Sequence, residues 1–155
     1  MSSQVLRTQA ITGEAWLKFL RAHAAVTREL SARLEAEHGL TLSDFDVLAQ
    51  LFHAEGHRLR RIDLARQVLL SASGITRLLD GLERTGWVEK DSCASDGRVT
   101  YAVLTQAGLR KLTAVRRTHH ADIEELFGGK FSEDELATLD ELLGRLPLAE
   151  TECAK

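Results

Sequence analysis

A chain of 155 residues can bury a core without disulfides or metals, and its balance of 44% apolar and 28% charged residues is that of an ordinary globular protein. A single proline and few aromatic residues favour helices over a sandwich or barrel, and apolar runs such as Val68-Leu69-Leu70 are far too short to cross a bilayer. The net charge of −3 argues mildly against a nucleic-acid partner, and two cysteines, Cys93 and Cys153, make no disulfide framework.

The N-terminus shows no basic segment followed by an apolar block, so no signal peptide is read and a cytoplasmic address is expected. The placement of charge matters more than its sum. Arg58, Arg60, Arg61, Arg66 and Arg77 fall within twenty residues, opposed in that stretch only by Asp63. Acids gather later, at Glu124, Glu125, Glu133, Asp134, Glu135, Asp140 and Glu141. This asymmetry supports a phosphate-facing surface on an acidic protein.

Along the chain, Trp16, Phe19, His23, Val26 and Leu30 step by three or four and predict a first helix over about 13–37, ended by Gly39. Ser43 reads as the N-cap of a second helix, with Asp44 and Asp46 near its positive end and a buried face of Phe45, Leu48, Leu51 and Phe52. That helix stops near Gly56. Residues 57–60 suit a short extended segment and 61–68 a short third helix. Ser71 reads as the cap of a fourth, whose Ile75, Leu78, Leu79 and Leu82 form the cleanest amphipathic pattern in the chain, before Gly86 stops it.

The rhythm then changes. Residues 87–90 read as a strand, 92–97 as a polar turn, and 98–104 as a second strand with Val99, Tyr101 and Val103 on one face. Thr105 caps a fifth helix reaching about 127, broken by Gly128-Gly129. Ser132 and Glu135 form a capping box for a last helix lined by Leu136, Leu139, Leu143 and Leu146 and closed by Pro147. The predicted fold is mainly α with a small β-hairpin wing: a winged helix-turn-helix flanked by N- and C-terminal dimerisation helices. Residues 1–38 with 106–155 supply the dimerisation helices, and 39–105 the DNA-binding unit.

A helix-turn-helix needs a second helix exposed enough to enter a major groove. At about 100° per residue, Ser73, Arg77, Asp80 and Arg84 lie opposite the apolar stripe, with Gly74 and Thr76 on its flanks. Small residues let the backbone approach, and Arg77 can reach a guanine edge or a phosphate. The hairpin carries Asp96-Gly97-Arg98, in which the aspartate can hold the arginine for a minor groove. Arg66, Ser71, Ser73, Gly74, Thr76, Arg77, Arg84, Asp96 and Arg98 are therefore the expected DNA-binding residues.

The run from Leu64-Ala65-Arg66 through Ser71-Ala72-Ser73-Gly74-Ile75-Thr76-Arg77 to Gly86-Trp87-Val88 resembles the MarR family of regulators. So does Asp96-Gly97-Arg98 followed by Tyr101-Ala102-Val103-Leu104-Thr105-Gln106-Ala107-Gly108. The resemblance implies a homodimer joined through its terminal helices, reading a palindromic operator in double-stranded DNA, most often as a repressor relieved by a small aromatic or anionic ligand. Ala72 departs from the pattern, standing where relatives often have arginine.

Dimerisation also explains why helices from both chain ends are apolar without a second internal core. Two recognition helices about 34 Å apart would then meet successive major grooves. By the same resemblance, an effector crevice is expected between the dimerisation helices and the winged unit. Trp16, Phe19, Leu20, His23 and Asp63 are its candidate lining, with Arg60 or Arg110 adding charge.

Other chemistries find less support. Adjacent His119 and His120 diverge on a helix, and Gly56 separates His53 from His57, so no metal is expected. No cofactor is expected either, and no phosphate-cradling glycine loop, activated nucleophile or paired carboxylates point to an enzyme. The alternatives kept open are a constitutive or redox-modulated DNA-binding regulator without a pocket, and a protein-binding winged helix.

Overall fold

The computed structural model describes residues 3–68, 72–92 and 99–147. In chain order these form α1 (Ser3–His38), α2 (Leu42–His53), a 3-10 turn (Glu55–His57), β1 (Arg58–Arg60), α3 (Arg61–Gln67), α4 (Ala72–Arg84), β2 (Val88–Ser92), β3 (Thr100–Leu104), α5 (Gln106–Leu126), a second 3-10 turn (Gly128–Lys130) and α6 (Glu133–Leu143). Among the described residues no helix is long and apolar enough to cross a membrane.

The first helix starts at Ser3 rather than near Gly13. The hydroxyls of Thr8 and Thr12 donate back to the carbonyls of Gln4 and Thr8, at 3.0 and 2.9 Å, and so stay within the helix instead of competing with it. An interior glycine costs about 1 kcal/mol, too little to break so long a helix. Gly39, at φ 65, ends α1 and turns Leu40 fully into the core.

Only Thr41 then precedes α2, and Thr41 rather than Ser43 is its N-cap. Its hydroxyl accepts from the Asp44 amide at 3.1 Å, while the Asp44 carboxylate accepts from the Thr41 amide at 2.8 Å. Thr105 caps α5, and Ser132 with Glu135 closes the capping box of α6, both as expected.

The wing is a three-stranded antiparallel sheet in the order β1-β3-β2, since residues 58–60 join the expected hairpin. Arg58 lies opposite Val103 and Arg60 opposite Tyr101, while Asp91 pairs with Tyr101 from the other side. Alternation picks out Val99, Tyr101 and Val103, yet it is Ala102 and Leu104 that enter the core. The wider side chains remain half-buried on the outer face.

Among the described residues one core joins α1–α5 to the sheet. Leu34 of α1, Val47, Leu48 and Leu51 of α2, Leu64 of α3, Leu79 and Leu82 of α4, Val88 of β2 and Leu112 and Val115 of α5 are all buried together. The C-terminal end of α1 is tied to α5 by Arg33, which meets Asp122 at 2.8 Å, Glu125 at 3.0 Å and Glu29 at 3.0 Å. These carboxylates, Glu125 first, hold the guanidinium protonated, and the Arg33 guanidinium in turn holds the Glu125 carboxyl below its usual range. Lys111 adds a bond to the His38 carbonyl at 2.6 Å. By contrast, Val5, Ile11, Trp16, Leu17, Phe19 and Leu20 of α1 are exposed, and α6 buries no residue.

Candidate nucleic-acid interface

The short α3 and the amphipathic α4 form the helix-turn-helix. Ile75, Leu79 and Leu82 anchor α4 from below. Ser73, Thr76, Arg77, Asp80 and Arg84 are exposed on its other side, and Gly74 is half-buried. The buried stripe thus fixes which side chains α4 presents. Of the remaining expected contacts, Arg66 is exposed on α3, whereas Ser71, Asp96 and Arg98 lie outside the described residues, as do Cys93 and Cys153.

The arginine cluster is divided by its partners. Arg60 binds Asp63, which holds the guanidinium protonated. Arg58 reaches Asp91 of β2 at 3.1 Å. Arg61 is mostly buried, with its Nη2 4.0 Å from Asp80 of α4 and without a hydrogen bond among the described residues. Asp63 is the sole acid of this stretch in sequence, but folding brings in Asp80 and Asp91. Arg66, with 75% of its side chain exposed, stands 3.7 Å from Asp63. Arg77 and Arg84 have no acidic partner among the described residues, so the unneutralised charge lies on the outward face of α4.

Of the expected effector residues, Trp16, Phe19 and His23 form a ladder of stacked rings along α1, with centroids 6.1 and 6.4 Å apart. Leu20 is exposed on the same helix. Asp63 sits on α3 and is engaged by Arg60 and Arg66.

A different concavity, of about 210 Å³, opens between α2 and α5 and is lined by Phe45, Ala49, Phe52, His53, Leu112 and Arg116. The Arg116 guanidinium lies 5.3 Å from the centre of the Phe52 ring. Beside it, His119 is buried with its ring 4.4 Å from that of Phe45, and its Nδ1 has no hydrogen-bond partner among the described residues. Desolvation lowers the His119 pKa, which favours the neutral ring. Sequence reading missed this place because α2 and α5 are far apart in the chain. The available signal was the Leu112–Arg116 spacing of four on α5, which matches Phe45–Ala49 on α2. Among the described residues no group of three or more His, Cys, Asp or Glu is placed to hold a metal.

The model of the MarR family matches residues 40–100. The HTH-type transcriptional regulator MhqR of Bacillus subtilis is 30% identical over 128 residues, covering 83% of this chain and 86% of that protein. Among solved structures, AbsC, a MarR family transcriptional regulator from Streptomyces coelicolor, superposes with a TM-score of 0.77 at 32% identity, over 83% of this chain and 86% of that one. Sco3205, a MarR family regulator of the same organism solved in complex with DNA, shares the fold with a TM-score of 0.79 at 23% identity, over 87% of this chain and 91% of its own. These are relatives of regulatory rather than enzymatic type, and with them the chain belongs to the MarR family of DNA-binding transcription regulators.

Proposed function

We propose that the protein is a homodimeric repressor that occupies a palindromic operator in the cytoplasm and is released by a small aromatic or anionic effector. The observation that carries the DNA reading is the outward face of α4. Its arginines, Arg77 and Arg84, lack acidic partners among the described residues, while the opposite face is locked into the core. In this reading residues 1–38 and 106–155 pair two copies, and 39–105 reads DNA. Ser71, Ser73, Gly74 and Thr76 line the approach to the groove, Arg66 meets phosphate, and Asp96 and Arg98 extend the contact to a minor groove. In this reading repression follows from occupancy, since a dimer seated on the operator excludes other proteins from the same DNA.

The α2–α5 concavity is the favoured effector seat. An apolar cavity of about 150 Å³ accepts one benzene ring, so the space here suits a single aromatic ring with a small substituent. Phe45 and Phe52 supply apolar walls, and Arg116 supplies a cation for a carboxylate or similar anion. A ligand wedged there would separate α2, which carries the DNA-reading unit, from α5. The ladder of Trp16, Phe19, Leu20 and His23, with Asp63, is the second seat.

A gel shift on the region upstream of its own gene tests the first part. Affinity should fall by about 10³-fold or more between 50 and 200 mM salt if several arginines displace counterions, and a flat salt response would reject it. Aromatic acids and urate are then screened for release. Loss of release in Arg116→Ala assigns the seat to α2–α5, whereas loss in Trp16→Ala alone assigns it to the α1 ladder.

A further inference from the structure

The strand order β1-β3-β2 sets β1 and β2 on opposite edges of the sheet, with β3 between them. Arg58 on one edge and Asp91 on the other share the outer face with Tyr101 of the middle strand. The Arg58 guanidinium lies 4.0 Å from the centre of the Tyr101 ring, and its Nη2 is 3.1 Å from the Asp91 carboxylate. One side chain therefore crosses the whole sheet, resting on an aromatic face midway.

The two ends of this contact differ in how firmly they are held. Arg58 follows the turn that α2 leads into, and the next residue of β1, Leu59, packs on the core. Beyond Val88, β2 buries nothing fully. A two-stranded ribbon is marginal by itself, so the outer end of β2 depends on its ladder to β3 and on what crosses from β1.

We infer that the contact of Arg58 with Tyr101 and Asp91 is a strap that fixes the wing relative to α4. Arg58 is thereby a positioning residue for DNA binding, not a phosphate ligand. The inference rests on the DNA-binding reading above. An exposed ion pair adds little to global stability, but it can restrict the direction of a strand that has few other anchors. Arg61, directed at Asp80, is placed to do the same for α4.

The two roles of Arg58 give opposite signs at Asp91. If Arg58 bound phosphate, Asp91 would compete for it, and Asp91→Asn would bind DNA more tightly. If Arg58 is a strap, Asp91→Asn removes its anchor and weakens binding, even though a negative charge is lost. Operator affinity at fixed salt is measured for Arg58→Gln, Asp91→Asn, the double variant and the exchanged pair Arg58→Asp with Asp91→Arg. Amide hydrogen exchange of β2 and β3 is followed in the free protein.

Each single substitution should weaken binding about tenfold, and the double variant should lose little more, because the two residues share one interaction. The exchanged pair should recover most of the affinity. Amides of residues 89–92 should exchange faster in both single variants. Unchanged or tighter binding by Asp91→Asn overturns the strap, as does a salt slope that falls by about two per dimer, roughly one per protomer, in Arg58→Gln alone. Failure of the unaltered protein to bind DNA would count against the DNA-binding reading instead. The exchange data would then decide the strap, and equal rates in all proteins would reject it.

Discussion

Asp63, Asp80 and Asp91 decide which arginines of the cluster keep an unneutralised charge. A linear count sees five arginines against one acid. In space, Arg58, Arg60 and Arg61 each face a carboxylate, and the outward charge passes to Arg77, Arg84 and part of Arg66. Arg77 is the sharper test, since it lies on the exposed face of α4, the proposed groove-reading helix. A bidentate arginine–guanine contact is worth about 1–3 kcal/mol of discrimination. Arg77→Ala should therefore cost roughly 5- to 150-fold per half-site in operator affinity and narrow the gap between operator and scrambled DNA. Arg66→Ala should weaken both DNAs by a similar, smaller factor, as a phosphate contact does. Equal operator binding by Arg77→Ala and the unaltered protein would remove Arg77 from the interface. Its outward position was legible from the spacing of Ile75, Leu78, Leu79 and Leu82 alone. Its lack of an acidic partner among the described residues was not, because that depends on where Asp80 and Asp91 arrive.

At the scale of elements, the junction of β2 and α5 explains the glycine in the Leu104-Thr105-Gln106-Ala107-Gly108 step. The Trp87 carbonyl accepts from the Thr105 amide at 3.1 Å, and the Thr105 hydroxyl donates to the Gly86 carbonyl at 2.6 Å. This draws the first turn of α5 onto the chain entering β2. A Cβ on Gly108 would overlap the Trp87 carbonyl oxygen and press on Leu104. Both neighbours are fixed, one as backbone and the other by the core. Gly108→Ala should therefore lower unfolding stability by about 1–3 kcal/mol or more, in line with other overpacked sites, as read by urea denaturation. Gly81→Ala is the contrast: its Cβ would meet only the tip of Arg84 at 4.0 Å. There the gain in helix propensity, up to about 1 kcal/mol, should dominate, and a destabilised Gly81→Ala would contradict this packing. Amphipathic spacing and capping residues made most elements legible. The start of α1 and the cap of α2 turn on local hydrogen bonds of Thr8, Thr12 and Thr41 that apolar spacing does not show. The buried face of β3 is not local, since it depends on helices that come from elsewhere in the chain.

For the whole molecule, the unresolved demand is the apolar surface left outside the core. On α1, Trp16, Leu17, Phe19 and Leu20 are 57, 49, 42 and 40% exposed, and Phe127, Phe131, Leu142 and Leu146 add to this from the C-terminal elements. Monomers rarely show contiguous apolar patches beyond a few hundred Å², and burying such a side chain contributes about 1.5–3 kcal/mol. A second copy is the proposed cover. Twofold symmetry then makes each substitution act twice at the interface. Leu20→Glu would place a carboxylate from each copy in that apolar seam. Because Leu20 is exposed in the single chain, the protomer itself should keep its helix content and its core. The dimer dissociation constant should rise by at least about a hundredfold, from the loss of some 2.7 kcal/mol or more, as measured by analytical ultracentrifugation. Operator binding should fall with it, since a lone protomer reads one half-site and forfeits the effective concentration of the second. A Leu20→Glu protein that sediments as a dimer and binds the palindrome normally would move the interface away from this face of α1. A protein already monomeric before substitution would leave α1 to cover some other partner, and the palindromic reading would fall with the dimer.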